Sequence, residues 1–242
     1  MLYGIAILAA CLWGTSGIYV KLMTFPVISI CFIRFLVPTL CCGIFIRKSK
    51  KVLFLRSKNF FLISFITCIS IIIQFFAFKF TSIANANIFL YTWPLLLYGL
   101  TCFLKKETLT ANTLSMIILG FSGILLISLH PSNVFTLQDV LGILFALISA
   151  VLIAINVYLI QDTLKQTSTF EMIYIFNAMG CFVLCPFFLA NLPTFTLDNM
   201  ILGLSFAVTV GIVSYFLFFH ALRALNSTPI SVIGYLEVVS SI

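Results

Sequence analysis

The amino-acid sequence predicts an all-α polytopic membrane protein that is built from two inverted five-helix repeats. Three observations support this prediction: the composition, a series of long apolar segments, and a weak internal self-similarity. Of the 242 residues, 62% are hydrophobic and only 8% are charged, whereas a soluble domain carries about 25% charged residues. Such a chain cannot cover a globule with polar groups, so we expect it to use lipid as its solvent.

The apolar segments have the length that a membrane requires. A helix that crosses about 30 Å of hydrocarbon needs roughly 20 apolar residues. By that measure the chain contains eight complete spans and the start of a ninth. The complete spans cover residues 2–20, 26–46, 60–78, 84–104, 112–129, 140–160, 171–190 and 199–222. The ninth starts at 229, and we expect it to be truncated at 242, because its 14 residues would extend only about 21 Å as a helix.

The positive charges indicate how the chain is oriented. Ten of the 13 lysines and arginines fall in the loops that share one side of the predicted membrane. Only Lys21 and Lys79 fall on the other side, and Arg34 lies within a span. Cytoplasmic loops are rich in Lys and Arg. We therefore expect a multi-pass protein of the cell (inner) membrane with its N-terminus in the cytoplasm, and the net charge of +7 reports orientation, not nucleic-acid binding.

Residues that build enzyme sites are scarce. The chain has two histidines, six acidic residues and eight cysteines, and the cysteines fall in predicted spans without a CxxC pair. The sequence lacks the GxSxG, HExxH and GxxxxGK motifs of hydrolases, metalloproteases and nucleotide-binding proteins. We expect no enzyme, no cofactor and no metal, so that any transport would draw on an ion gradient or on a counter-substrate.

A weak repeat relates the two halves of the chain. Residues 75–79 align with 219–223, and residues 91–94 align with 235–238, at a spacing of about 144. Five spans, an odd number, separate the equivalent elements, so the halves would have opposite orientations, as in secondary transporters. The predicted repeats cover residues 1–130 and 139–242. The alternative is that apolar helices resemble each other by chance.

Four motifs add a family resemblance that covers nearly the whole chain. They are residues 12–16 (LWGTS), 32–35 (FIRF), 106–110 with 119–124 (KETLT and LGFSGI), and 226–237, which ends in Tyr-Leu-Glu. In this order they resemble the EamA-type transporters of the drug/metabolite transporter superfamily. The resemblance implies ten helices, both termini in the cytoplasm, and export or uptake of small organic metabolites.

The chain departs from the family pattern at two points. Val238 stands where a proline usually follows the acidic residue of the ninth span, and the tenth span is absent. The function predicted is secondary active transport by alternating access, ion- or exchange-coupled, of amino acids or related amphiphilic compounds. One alternative is an S-adenosylmethionine-type carrier, which residues 235–238 resemble. Another is a truncated, non-transporting membrane protein.

Two ions within spans are the first candidates for a binding site. A charge at the centre of a bilayer costs roughly 2.5–3.5 kcal/mol or more. Arg34 lies eight residues into the second span, and Glu237 lies eight residues beyond Pro229. We expect Arg34 to bind an anionic group and Glu237 to bind a cationic group or a coupling proton. Both could instead hold helices together through hydrogen bonds to polar neighbours.

Aromatic and polar residues in the spans complete the candidate substrate site. Aromatic rings offer stacking and cation–π contacts, although interfacial anchoring explains many of them. The aromatic candidates are Trp13, Tyr91, Trp93, Tyr158 and Tyr235. The uncharged polar candidates are Gln74, Asn156 and Asn177. Asn177 aligns with Arg34 in the repeat. The expected partners are a small-molecule substrate and the lipid bilayer, with a homodimer left open.

Overall fold

Helices account for all the regular structure in the part of the chain that the structure describes. The computed structural model describes residues 2–46, 58–105, 111–128, 136–164, 167–192, 196–225 and 232–237. The helices are α1 (Leu2–Gly14), α2 (Ser16–Leu22), α3 (Val27–Ile46), α4 (Lys58–Phe80), α5 (Ile83–Leu90), α6 (Trp93–Lys105), α7 (Ala111–Ser128), α8 (Leu137–Thr163), α9 (Thr169–Ala190), α10 (Leu197–Val208) and α11 (Ser214–Ala224). The prediction of an all-α fold is confirmed.

Seven segments of the described chain are long and apolar enough to cross a membrane. They are Leu2–Leu22, Val27–Ile46, Phe60–Phe80, Ile83–Leu104, Leu137–Gln161, Thr169–Ala190 and Leu197–Ala224. These correspond to predicted spans one to four and six to eight, so the chain is an integral multi-pass membrane protein. The fifth predicted span coincides with α7, whose apolar core is the shorter stretch Leu114–Gly123. Most of the ninth lies outside the described residues, and the count of nine stays a prediction.

Three of the spans are interrupted near their middle. The first span breaks at Thr15, whose hydroxyl donates to the carbonyl of Leu12. The fourth breaks at Tyr91 and Thr92, directly before Trp93 starts α6. The eighth contains a π-helical turn at Thr209–Val213. Broken helices in membrane proteins are tolerated where the freed backbone groups are buried in protein or face a cavity.

The second and seventh spans pack face to face and antiparallel. Phe32 of α3 stacks on Phe188 near the end of α9, with ring centroids 4.2 Å apart. Phe45, near the other end of α3, stacks on Phe170 at the start of α9, at 5.2 Å. Between these stacks Gly180 lies against the ring of Phe35. The order of these contacts places the middle of α3 against the middle of α9.

The third and sixth spans form a second antiparallel pair. Near the end of α4, the Thr81 hydroxyl donates to Oδ1 of Asp139 at the start of α8, at 2.6 Å. In the middle of both helices, the Ser149 hydroxyl donates to the Ser70 carbonyl at 3.0 Å. Asp139 also closes a capping box with Thr136. These bonds satisfy polar groups within the protein, as lipid requires.

Two basic side chains cap helix C-termini at opposite ends of α8. Lys79 Nζ donates to the carbonyl of Met23, the C-cap of α2, at 2.8 Å. Arg223 Nε donates to the carbonyl of Leu164, the C-cap of α8, at 3.1 Å. Lys79 lies near Thr81, which contacts the start of α8, and the 27 residues of α8 extend about 40 Å. We call these contacts the Lys79 clamp and the Arg223 clamp.

Candidate functional site

A cavity lies among the interrupted spans. Its empty volume, including the part that is open to the outside, is about 810 Å³. Spans one, two, three, four, six and eight and the segment 232–237 all contribute to its lining. Seven of the ten predicted site residues line it, namely Trp13, Arg34, Gln74, Tyr91, Trp93, Asn156 and Glu237. The fold therefore brings together most of the side chains that the sequence singled out.

Arg34 contributes a buried positive charge to this cavity. It is the eighth residue of α3, and its side chain is 2% exposed. Its Nη1 donates to Oδ1 of Asn177 at 2.8 Å. The guanidinium carbon lies 5.1 Å from the ring centroid of Tyr215 and 5.2 Å from that of Phe35. Within the described ranges these partners are all neutral, so they solvate the charge without cancelling it.

A proline and a glycine shape the backbone around Arg34. Pro38 lies inside α3 and has no N–H to donate to the carbonyl of Arg34, four residues earlier. Gly211, in the π-helical turn, packs at this point. A Cβ on Gly211 would lie 2.9 Å from Cγ of Pro38 and 3.3 Å from the Arg34 oxygen. Glycine thus allows the eighth span to approach the weakened turn of α3.

Aromatic rings from the first and eighth spans form one wall of the cavity. The Trp13 ring meets Tyr215 edge-on, with centroids 5.0 Å apart. It also packs against Phe218 at 4.6 Å. Tyr215 continues this wall to the Arg34 guanidinium. Edge-on and tilted aromatic contacts of this kind hold rings in fixed orientations, so the wall offers a defined apolar surface to a bound molecule.

Glu237 contributes a carboxylate that lies beside the break in the fourth span. The hydroxyl of Tyr91, which is itself buried, donates a hydrogen bond to the Glu237 carboxylate. The backbone of Gly234 packs on the indole of Trp93, where a Cβ would lie 2.7 Å from the ring. The segment 232–237 is therefore held against the start of α6. The acidic Glu237 and the basic Arg34 therefore both line the same cavity.

Three predicted site residues lie outside the lining. Asn177 supports Arg34 through the hydrogen bond described above. Tyr158 is half-buried and packs against the hydrophobic core. The ring of Tyr235 is buried against Gly120 of α7. The role of these three residues in binding stays a prediction.

Sequence reasoning missed several residues that line the cavity. Among them are Ser16, Thr67, Ser70 and Phe218. A signal for two of them was present, because Thr67, Ser70 and Gln74 follow one another at spacings of three and four in a largely apolar helix. Residues at these spacings share one helix face, so they form a polar stripe.

Comparison with known proteins agrees with this architecture. The model of the EamA-like transporter family matches residues 2–129. The chain is 25% identical over 243 aligned residues to the uncharacterized transporter YxxF of Bacillus subtilis strain 168, covering 96% of this chain and 76% of that protein. A solved crystal structure superimposes with a TM-score of 0.78 at 19% identity, covering 99% of this chain and 85% of that one, which shows a common fold. The family match spans more than half of the sequence, and the chain belongs to the EamA-like transporter family.

Proposed function

We propose that this protein is a secondary active transporter that moves small organic metabolites across the membrane by alternating access. The observation that carries the proposal is the cavity that contains both Arg34 and Glu237. Buried ions in membrane proteins are costly and typically mark substrate or ion pathways. Transport would be coupled to an ion gradient or to exchange for a counter-substrate.

The chemistry of the lining favours an amphiphilic substrate with charged groups. Arg34 would bind an anionic group, because its guanidinium offers several N–H donors to a carboxylate. Glu237 would bind a cationic group or carry the coupling proton. The wall formed by Trp13, Tyr215 and Phe218 would cover an apolar part. Amino acids and related metabolites combine these features.

Helix packing supports an inverted-repeat mechanism. Spans two and seven would be equivalent under a shift of five spans, and they pack against each other antiparallel. The same shift relates the third span to the eighth and the sixth span to the first. The third and sixth spans pack as a pair (α4 and α8), and so do the eighth and first (α11 and α1). Arg34 and Asn177, which touch, are 143 positions apart, close to the repeat spacing. In such transporters one repeat rocks against the other around a central site.

A flux assay tests the proposal. The full chain would be reconstituted in proteoliposomes and supplied with labelled amino acids, related amines and S-adenosylmethionine, whose sulfonium cation would suit Glu237. We expect uptake above that of empty liposomes for at least one solute. We expect R34M to lower it at least tenfold, while the exposed charges altered in K21M and D198N leave it unchanged. Absence of flux with every solute would favour the non-transporting alternative.

A pH gradient separates the two roles of Glu237. If the carboxylate carries the coupling proton, an imposed gradient accelerates wild-type uptake, and E237Q loses this acceleration while retaining exchange of substrate for substrate. If it binds only a cationic group, E237Q loses both activities for cationic solutes and retains both for anionic ones. Parallel measurements of gradient-driven uptake and of exchange distinguish these outcomes.

A further inference from the structure

Asn156 presents a hydrogen-bond acceptor to the cavity without a partner. The side chain lies in the second half of α8, lines the cavity and is 7% exposed. Its Oδ1 is buried and accepts no hydrogen bond from the described residues. Buried polar atoms are nearly always hydrogen-bonded, so an orphaned acceptor in a cavity wall points to a group that arrives from outside the protein.

Thr67 fixes which end of the Asn156 amide is available. The Thr67 hydroxyl donates its single hydrogen to the carbonyl of Ile63 at 2.8 Å. Its oxygen can then only accept, and it accepts from Asn156 Nδ2 at 2.7 Å. A flipped amide would set the Asn156 oxygen against an oxygen that has no hydrogen left to offer. These two hydrogen bonds therefore hold Nδ2 of Asn156 toward Thr67 and leave its Oδ1 unpaired.

The other polar groups of the cavity narrow the kind of donor that Asn156 can bind. A cationic substrate group would pair more strongly with the Glu237 carboxylate than with a neutral amide, since charge-assisted hydrogen bonds are the stronger ones. An anionic group would go to Arg34. What remains for the Asn156 oxygen is a neutral donor, that is, a hydroxyl or an amide N–H.

Resting on the transport function proposed above, we propose that Asn156 forms a specificity subsite that accepts a hydrogen bond from a neutral hydroxyl group of the substrate. Thr67 is its positioning residue. A substrate with a methyl group at the same place would leave the acceptor buried and unpaired, and sites built around a hydrogen bond reject such analogues strongly.

Pairs of solutes that exchange a hydroxyl for a methyl group test the subsite. The pairs are serine with 2-aminobutyrate, ethanolamine with propylamine, and glycolate with propionate, which cover zwitterion, cation and anion. In proteoliposomes containing the full chain, we expect the hydroxyl member of each transported pair to be preferred by about tenfold or more in kcat/KM. N156L should reduce this ratio to below about threefold, mainly through slower transport of the hydroxyl member.

Ser149 provides the matched control. It lies seven residues before Asn156 on the same helix, and its hydroxyl also bonds to α4, but it does not line the cavity. S149A removes an interhelical hydrogen bond and should keep the wild-type ratio. T67V keeps Asn156 but releases its amide, and should lower the ratio several-fold. This variant decides the question if N156L does not fold.

The outcomes separate this proposal from the transport function. If the wild type moves solutes of the wider panel but shows ratios below twofold, or moves none of the hydroxyl probes, the subsite is wrong and the transporter stands. A ratio unchanged in both N156L and T67V also overturns the subsite. No flux of any solute above empty liposomes overturns the proposed function itself.

Discussion

The buried Arg34 side chain is bound by the amide of Asn177, and that amide is itself fixed by a second hydrogen bond. Asn177 Nδ2 donates to the carbonyl of Ile173, one turn earlier in α9, at 2.6 Å. This bond directs Oδ1 toward the guanidinium, where it accepts the bond from Arg34. The charge therefore depends on a fixed acceptor from the seventh span, and the hydrogen bond links α3 to α9.

Replacing Asn177 alone should lower the stability of the protein more than replacing Arg34 and Asn177 together. N177L would remove the Asn177 oxygen from the buried Arg34 guanidinium, and we expect a loss of about 2–4 kcal/mol in the free energy of unfolding. In the double variant R34M/N177L the stranded charge is absent, so its stability should return toward that of the wild type.

Thermal unfolding in detergent measures this cycle. N177D, which keeps an acceptor, serves as the control and should retain most of the stability. Equal losses in N177L and in the double variant would show that Asn177 contributes through packing alone.

The sequence identified single residues best where their chemistry conflicts with lipid. Arg34 and Glu237 stand out as ions in apolar segments, and both line the cavity. Asn177 was a candidate as a polar residue within a span, and its alignment with Arg34 in the repeat supported that choice. Nothing in the sequence singled out Tyr215 from the other tyrosines of the spans, because its neighbours in the sequence do not distinguish it. Its role arises only when the eighth span brings it to Arg34.

At the scale of helices, the α3–α9 contact relies on a residue without a side chain. A Cβ on Gly180 would lie 2.4 Å from the Phe35 ring, and small residues let membrane helices approach closely. We expect G180A to lower the free energy of unfolding by about 1–3 kcal/mol through overpacking.

Gly99 supplies the comparison for this substitution. It lies in α6 with open space around it, so G99A should be neutral or stabilise by up to about 1 kcal/mol. Chemical unfolding in mixed micelles measures both variants. A G180A protein as stable as G99A would contradict the close packing of α3 on α9.

Segment length and hydropathy predicted the spans but not their interruptions. Predicted span 140–160 and the observed α8 (Leu137–Thr163) differ by three residues at each end. Pro94 was a sequence signal for the break at Tyr91 and Thr92, because proline has no backbone N–H to donate to the preceding turn. The π-helical turn had no such signal, because it depends on the Ser214 hydroxyl, which donates to the Thr209 carbonyl at 2.8 Å, and on the close packing of Gly211.

At the scale of the whole molecule, the two clamps should bias the protein in opposite directions. The Lys79 clamp and the Arg223 clamp lie at opposite ends of α8. Under alternating access each would stabilise closure at its own end. We expect K79M to increase access to the cavity from the Lys79 end and R223M to increase it from the Arg223 end, by several-fold in each case.

Cysteine labelling tests this expectation. A single cysteine at Ser70, which lines the cavity, would be placed in a background without native cysteines. Membrane-impermeant reagent would then be added to either side of sealed vesicles. K21M, which removes an exposed lysine near the Lys79 end, is the control and should behave as the wild type. Equal labelling from both sides in K79M and R223M would refute opposed clamps.

The contact between Arg34 and Asn177 also limits how alike the two halves can be. Under the proposed inverted repeat, a residue on the two-fold axis faces its own counterpart. Two arginines there would bring like charges within hydrogen-bond distance in a medium of low dielectric constant, and two asparagines would supply no charge. A homodimer of identical halves therefore cannot build this centre. Halves of different sequence let one position become the ion and the other its ligand, so the divergence of the two halves is what permits a single charge on the axis.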